Sequence, residues 1–177
     1  MKTVDNKKEI LDGNSAAEST NPQKTKPAKA ENVVHVAGTA APKPVGAYPH
    51  ARRVGNILYL SGVGPRQPET DAIPGGPIRK EDGSPREYDI ERQTRAVIEN
   101  VRAILEASGS RLENVIDVQV FLIDMDRDFA DYNRVYAEYF SSIQATRTTI
   151  AVRAMPTPIA IELKVIALAG DANSDAD

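Results

Sequence analysis

From Asn32 onward the apolar positions fall into short runs separated by Pro and Gly, the pattern of strands and turns. NVVHVAG (32–38) reads as a weak first strand. HARRVG and NILYLSG read as two more, joined as a hairpin at Gly55-Asn56. Between the first and second strands, APKPVGAYPH (41–50) holds three prolines and reads as an extended crossing segment. Residues 64–86 hold five prolines and four glycines, too irregular for any element, and long connections of that kind are usually functional or mobile. The period then changes. In DIERQTRAVIENVRAILEAS, Ile90, Val97, Ile98, Val101, Ile104 and Leu105 make one helical stripe, with Asp89 placed to cap its start and Gly109 to end it. In DRDFADYNRVYAEYF, Phe129, Tyr132, Val135, Tyr136, Tyr139 and Phe140 mark one face. Five of the nine aromatic residues in the chain sit there, so this helix is expected to be the heavier anchor on the sheet. NVIDVQVFLI between the helices alternates Ile116, Val118, Val120 and Leu122 against Asp117, Gln119 and Phe121, a strand. RTTIAV (147–152) and IAIELKVIALA (159–169) complete the order β-β-β-α-β-α-β-β, an α+β fold.

The last strand carries the most information. Ile159, Ile161, Leu163 and Val165 point one way, and Ala160, Glu162, Lys164 and Ile166 the other. Two helices cover only one face of a six-stranded sheet, so the second face, half apolar and half charged, calls for another partner, which self-association would supply. Glu162 would then lie at a subunit junction; the alternative is an amphipathic strand with Glu162 and Lys164 solvated. Arg147 opens a Thr-rich strand, where its planar fork could meet a carboxylate, although an Arg at a strand end is most often a surface charge. Tyr48 likewise fits a loop packing role as well as a ligand contact.

Composition narrows the chemistry. The chain has 177 residues, a formal net charge of -3, no Cys and two His, His35 and His50. Disulfide scaffolds, thiolate nucleophiles, thiolate metal sites and a three-His metal site within one chain are excluded. Without a large basic excess there is no electrostatic reason to expect nucleic acid or an anionic membrane as partner. Residues 1–31 pair six Lys with five acidic residues, contain no aromatics, and are expected to be a disordered tail; 171–177 are expected to be a disordered end, leaving 32–170 as one domain. With no secretory h-region and no long apolar run, a soluble cytoplasmic protein is expected.

The strings VGAYPHARRVGNILYLSG, QTRAVIENVRAILEASGSRLENVIDVQVFLIDMDRDFADYNRVYAEYF and TRTTIAVRAMPTPIAIELKVIALA resemble the RidA (YjgF) family of enamine/imine deaminases over Asn32 to Ala169, with the fifteen-residue spacing from Arg147 to Glu162 as a specific signature. The resemblance implies a chorismate-mutase-like fold with two helices on one face of the sheet. It also implies a homotrimer around an inner barrel of sheets, with active sites between subunits and no cofactor or metal. It implies further that Arg147 binds the substrate carboxylate and Glu162 holds the hydrolytic water, while Tyr48, Ser61, Gly62 and Asn133 line the pocket. Thr149 stands where many members carry Cys, and Lys164 where many are acidic. Within the family, YPHARR, RAVIEN, the long Pro/Gly loop and RTTIAV look most like the 2-aminomuconate deaminase branch. A dicarboxylate substrate would require a second cation, for which Arg66 is favoured over Arg52, Arg53 and Arg153. A generalist 2-imino acid deaminase and a non-catalytic carboxylate-binding trimer are the alternatives.

Overall fold

The computed structural model describes residues 32–36 and 41–170. The tail expected at 1–31 and the end expected at 171–177 lie outside the described residues. In chain order the elements are β1 (Val33–Val34), β2 (Ala51–Val54), β3 (Ile57–Leu60), α1 (Ile90–Ala107), a short 3-10 turn (Leu112–Asn114), β4 (Val115–Leu122), α2 (Met125–Phe140), β5 (Thr146–Ala151) and β6 (Ile161–Leu168). This is the order read from the sequence, with ends moved by one to a few residues. The strands form one mixed sheet in the order β1-β2-β3-β6-β4-β5, antiparallel throughout except for the parallel pair β4–β5.

Local chemistry accounts for the ends. Val54 pairs with Ile57 across the Gly55-Asn56 turn, and Gly55 takes the left-handed φ of 59° that a hairpin this tight demands. The Asp89 and Asp124 carboxylates accept hydrogen bonds from the backbone N–H groups of Arg92 and Arg127, both at 3.0 Å, capping α1 and α2.

The two faces of the sheet differ in the way β6 foreshadows. Ile161, Leu163, Val165 and Ala167 are fully buried beneath the helices, while Glu162, Lys164 and Ile166 are half-buried on the open face. Exposed Tyr59, Ile150 and Leu168 extend that open face across β3, β5 and β6.

Three expectations need correction. Ile116 is exposed rather than in the core: β4 shifts register against β6 between Val115 and Asp117, and this bulge puts Val115 inward instead. Phe129 is also exposed, at 39%. The heavier anchor is α1, not α2. It lies across β6 in the middle of the sheet and buries nine residues against five, whereas α2 lies over β4 towards the edge.

Polar residues on the buried face of α1 explain how the long irregular segment is held. Gln93 is completely buried; its amide donates to Gly76 O and accepts from Ala160 N, both at 2.7 Å, stapling the loop to the approach to β6. Asn100 donates to Gly64 O at 2.8 Å and to Arg66 O at 2.9 Å. At the far end the Tyr88 hydroxyl donates to the buried Asp128 carboxylate at 2.7 Å, with Arg127 stacked on the Tyr88 ring. Backbone bonds such as Ile78 N to Pro158 O (2.9 Å) and Arg86 N to Ile78 O (3.0 Å) fix the rest.

Gln93→Ala strands a half-buried carbonyl and a buried N–H at once, each costing up to about 1–3 kcal/mol when left unpaired. Denaturant unfolding is expected to show a loss of about 2–4 kcal/mol, against at most about 0.5 kcal/mol for Arg92→Ala one position away on the exposed side.

Candidate active site

A cleft of about 330 Å³ is lined by Val45, Tyr48, Ser61, Gly62, Gly64, Arg66, Pro156, Thr157, Ile159, Glu162 and Lys164. It exists because the β3–β6 ladder opens. Tyr59 pairs with Ile166 and Val63 bridges Leu163, so three residues on one side face two on the other. Leu60 O in this gap accepts a 2.8 Å hydrogen bond from Lys164 Nζ. Ser61 is tied to the preceding crossing segment: its N–H donates to His50 O at 2.9 Å and its hydroxyl to Pro49 O at 2.6 Å. His50, buried, fixes that segment in turn. Its Nδ1 accepts from Val36 N and its Nε2 donates to Pro42 O, both at 3.1 Å. Tyr48 is thereby held at the rim.

Gly62 allows the closest approach in the cleft. A β-carbon built there would fall on Glu162 Oε1 and lie 2.9 Å from Glu162 Cδ, so only glycine lets the carboxylate sit against the backbone. Among the described residues, no side chain or backbone donor bonds the Glu162 carboxylate. Burial therefore raises its pKa above the usual carboxylate value, with Lys164 pulling in the opposite direction as the lesser influence. Arg66 sits on the other wall, 16% exposed; its guanidinium donates to Asp71 Oδ1 at 2.5 Å and to Lys43 O at 2.7 Å.

A second cluster gathers the remaining residues singled out in the sequence. Arg147 Nη1 donates to Asn133 Oδ1 at 2.8 Å, and its guanidinium carbon lies 4.7 Å from the Tyr136 ring centre and 5.6 Å from that of Tyr132. The Tyr132 hydroxyl is 3.5 Å from Thr149 Oγ1. Burial and the Arg147 charge act on both tyrosines, and burial, the larger influence, raises their pKa values.

Within one chain the two clusters do not meet. Parallel pairing aligns Arg147 with Val118, whose antiparallel partner is Val165, so Arg147 and Thr149 lie on the helix-bearing face. Glu162 pairs with Phe121 on the open face. Tyr48, Ser61, Gly62, Arg66 and Glu162 thus share the cleft, and Arg147, Asn133 and Thr149 share the edge formed by α2 and β5. Arg52, Arg53 and Arg153 do not line the cleft. The reading of the sequence missed the supporting amides Gln93 and Asn100, although both break an otherwise apolar stripe. Among the described residues no group of three or more His, Cys, Asp and Glu is placed to hold a metal ion, and no helix is long and apolar enough to cross a membrane.

Residues 38–169 match the family model described as Endoribonuclease L-PSP. The chain belongs to that family, also called RidA or YjgF. A RutC family protein of Pyrococcus horikoshii is 43% identical over 127 residues, which cover 72% of this chain and 90% of that protein. A 2-iminobutanoate/2-iminopropanoate deaminase of Dermatophagoides farinae is 32% identical over 126 residues, 71% of this chain and 88% of that one. The crystal structure of E. coli TdcF with bound serine has a TM-score of 0.63 and 31% identity, covering 76% of this chain and 97% of TdcF. This RidA-family chain therefore has the chorismate-mutase-like fold of its solved relatives, and its family includes hydrolytic, cofactor-free imine deaminases.

The raised pKa of Glu162 has a signed consequence. Below the unfolded value of 4.5 the group is protonated in both states and costs nothing; as pH rises through the higher folded value, ionisation on the half-buried face destabilises the protein. In the dissociated chain, Glu162→Gln is expected to melt at a higher temperature than the parent at pH 7–8, the difference vanishing near pH 4. Thermal unfolding across that range checks it.

Proposed function

We propose that this RidA-family protein is a hydrolytic deaminase of imino and enamine acids, with each active site assembled from the cleft of one copy and the Arg147 edge of another. The observation that carries the reading is the division of one chemical set over two faces. A half-buried carboxylate without a hydrogen-bond donor sits in a cleft, and a guanidinium with spare donors sits on an exposed edge. Neither half is a hydrolytic site alone. A homotrimer that closes the open sheet faces into a barrel brings the edge of one subunit to the cleft of the next, buries exposed Tyr59, Ile150 and Leu168, and needs no further partner.

In that site Arg147 receives the C1 carboxylate through its planar fork and fixes the imine carbon beside Glu162. An enamine substrate first tautomerises, one proton moving from nitrogen to carbon. Glu162 takes a proton from water as the oxygen bonds to the imine carbon, and the C=N electron pair goes to nitrogen, which receives that proton from Glu162. The resulting carbinolamine passes its hydroxyl proton through Glu162 to the nitrogen and expels ammonia as its C–O bond becomes C=O, leaving the 2-oxo acid. A carboxyl group whose pKa is raised by burial suits both the uptake and the return of that proton. Tyr48, Ser61 and Gly62 shape the wall against which the substrate lies. The mite relative named for 2-iminobutanoate and 2-iminopropanoate supports the reaction class. The finer reading, 2-aminomuconate as substrate, rests on the sequence strings already quoted and on a cation being available for a distal carboxylate.

Ammonia release from freshly generated 2-iminopropanoate and 2-aminomuconate is the direct test. Glu162→Gln is expected to lower kcat by about 10²- to 10⁴-fold, and Arg147→Ala to lower kcat/KM by an amount equivalent to about 2–5 kcal/mol. Neither inactive variant works alone, but co-refolding Arg147→Ala with Glu162→Ala is expected to restore up to about a quarter of the sites by random assortment of copies. No recovery in well-formed mixed oligomers would mean that each site lies within a single chain.

A further inference from the structure

We infer that Lys164 is the cation that receives the distal carboxylate of a dicarboxylic imine or enamine, so that this protein prefers dicarboxylic over monocarboxylic substrates. The inference rests on the deaminase reading above and assigns its substrate class.

Two cations line the cleft, Arg66 and Lys164. Arg66 was the favoured partner for a second carboxylate on sequence grounds, yet its fork is already engaged by Asp71 on one nitrogen and by the Lys43 carbonyl on the other. Its charge is already matched by Asp71, so an arriving carboxylate gains less from it. Lys164 is in the opposite condition. Its ammonium has three donors, and one is used, on the neutral Leu60 carbonyl at 2.8 Å. Among the described residues no carboxylate forms an ion pair with it, although Glu162 feels its charge. A half-buried ammonium facing a cleft with only a neutral partner gains most from an arriving anion.

Position agrees with charge. Lys164 lies two residues beyond Glu162 on the same face of β6, a displacement of about 6.6 Å along the strand. A short diacid whose imine carbon sits beside Glu162 reaches across that span. The Leu60 bond aims the ammonium from the bulge that makes the cleft, so the anchor is formed before substrate arrives.

The test compares kcat/KM for 2-iminoglutarate and for 2-iminopropanoate, both generated in situ from the amino acids, in the full-length parent, Lys164→Met and Lys164→Arg. Loss of Lys164 also alters the field at Glu162; a distal carboxylate neutralises that charge in the parent and a monocarboxylate does not, so the effect adds to the lost contact in lowering the ratio. The expected result is a parent that prefers the dicarboxylate, a ratio about 10- to 100-fold lower in Lys164→Met, and substantial retention of the preference in Lys164→Arg. Merely structural damage would move both rates together. An active parent whose ratio is unchanged by Lys164→Met, or that prefers 2-iminopropanoate, overturns the assignment while leaving the deaminase reading intact. A parent that releases ammonia from neither substrate removes both.

Discussion

The strict alternation of β6, combined with the parallel register of β5, is the constraint on which the rest depends. Leu163 and Val165 are completely buried under the helices, and a strand that buries them must turn Glu162 and Lys164 to the opposite face. On β5 the alignment of Arg147 with Val118 sends the guanidinium to the helix side, where Asn133, Tyr132 and Tyr136 receive it. The two charges that the proposed deaminase chemistry uses are therefore separated by the sheet itself. No side-chain rotation reverses this: moving Glu162 to the other face would shift β6 by one position and expel the core, and the parallel register with β4 fixes the face of Arg147. In the proposed mechanism, subunit association supplies the geometry of the active site, and the interface and the chemistry cannot vary independently.

The cleft also depends on a second arrangement, the use of α1 as a scaffold for irregular chain. Burying an amide side chain costs free energy unless its polar atoms are satisfied. Gln93 and Asn100 meet that requirement by bonding backbone groups of the irregular segments: Gly76 O and Ala160 N for one, Gly64 O and Arg66 O for the other. Loop and helix thus satisfy each other. Because Gly64 and Arg66 line the cleft, its wall is as rigid as the helix to which it is bonded.

This division explains what was legible in the sequence. The order of the elements along the chain, both helices and the faces of β6 follow from periodicity, which is a local property. The bulge at Ile116 does not, because a bulge appears as a single break in alternation that a run of β-branched residues conceals. The weight of α2 was misjudged from its aromatic content; depth is set by where a helix crosses the sheet, and α1 takes the centre. For the site, Tyr48, Ser61, Gly62, Arg66 and Glu162, all singled out in the sequence, line one cleft of the chain. That Arg147, Asn133 and Thr149 stand apart depends on the β4–β5 register, a pairing between segments that no single segment encodes. Gln93 and Asn100 did leave a signal, as polar residues at apolar-stripe positions, where a buried amide requires a specific partner.

The protonation of Glu162 follows from how the two halves would meet. In the isolated chain, burial outweighs the pull of Lys164 and the pKa rises. A guanidinium arriving from another copy would lower it again, but in the proposed complex that guanidinium is matched by the C1 carboxylate of the substrate, and the pair presents little net charge to Glu162. If a distal carboxylate similarly engages Lys164, the one nearby group that lowers the pKa is neutralised as well. Substrate binding would then return Glu162 to the condition set by burial, with a raised proton affinity at the moment water must be deprotonated. A dicarboxylic substrate would thereby strengthen the base that attacks it, while a monocarboxylic one would leave the Lys164 charge in place and the base weaker. Specificity in such a cleft comes from tuning the base as well as from direct contact, and both effects act through the same lysine.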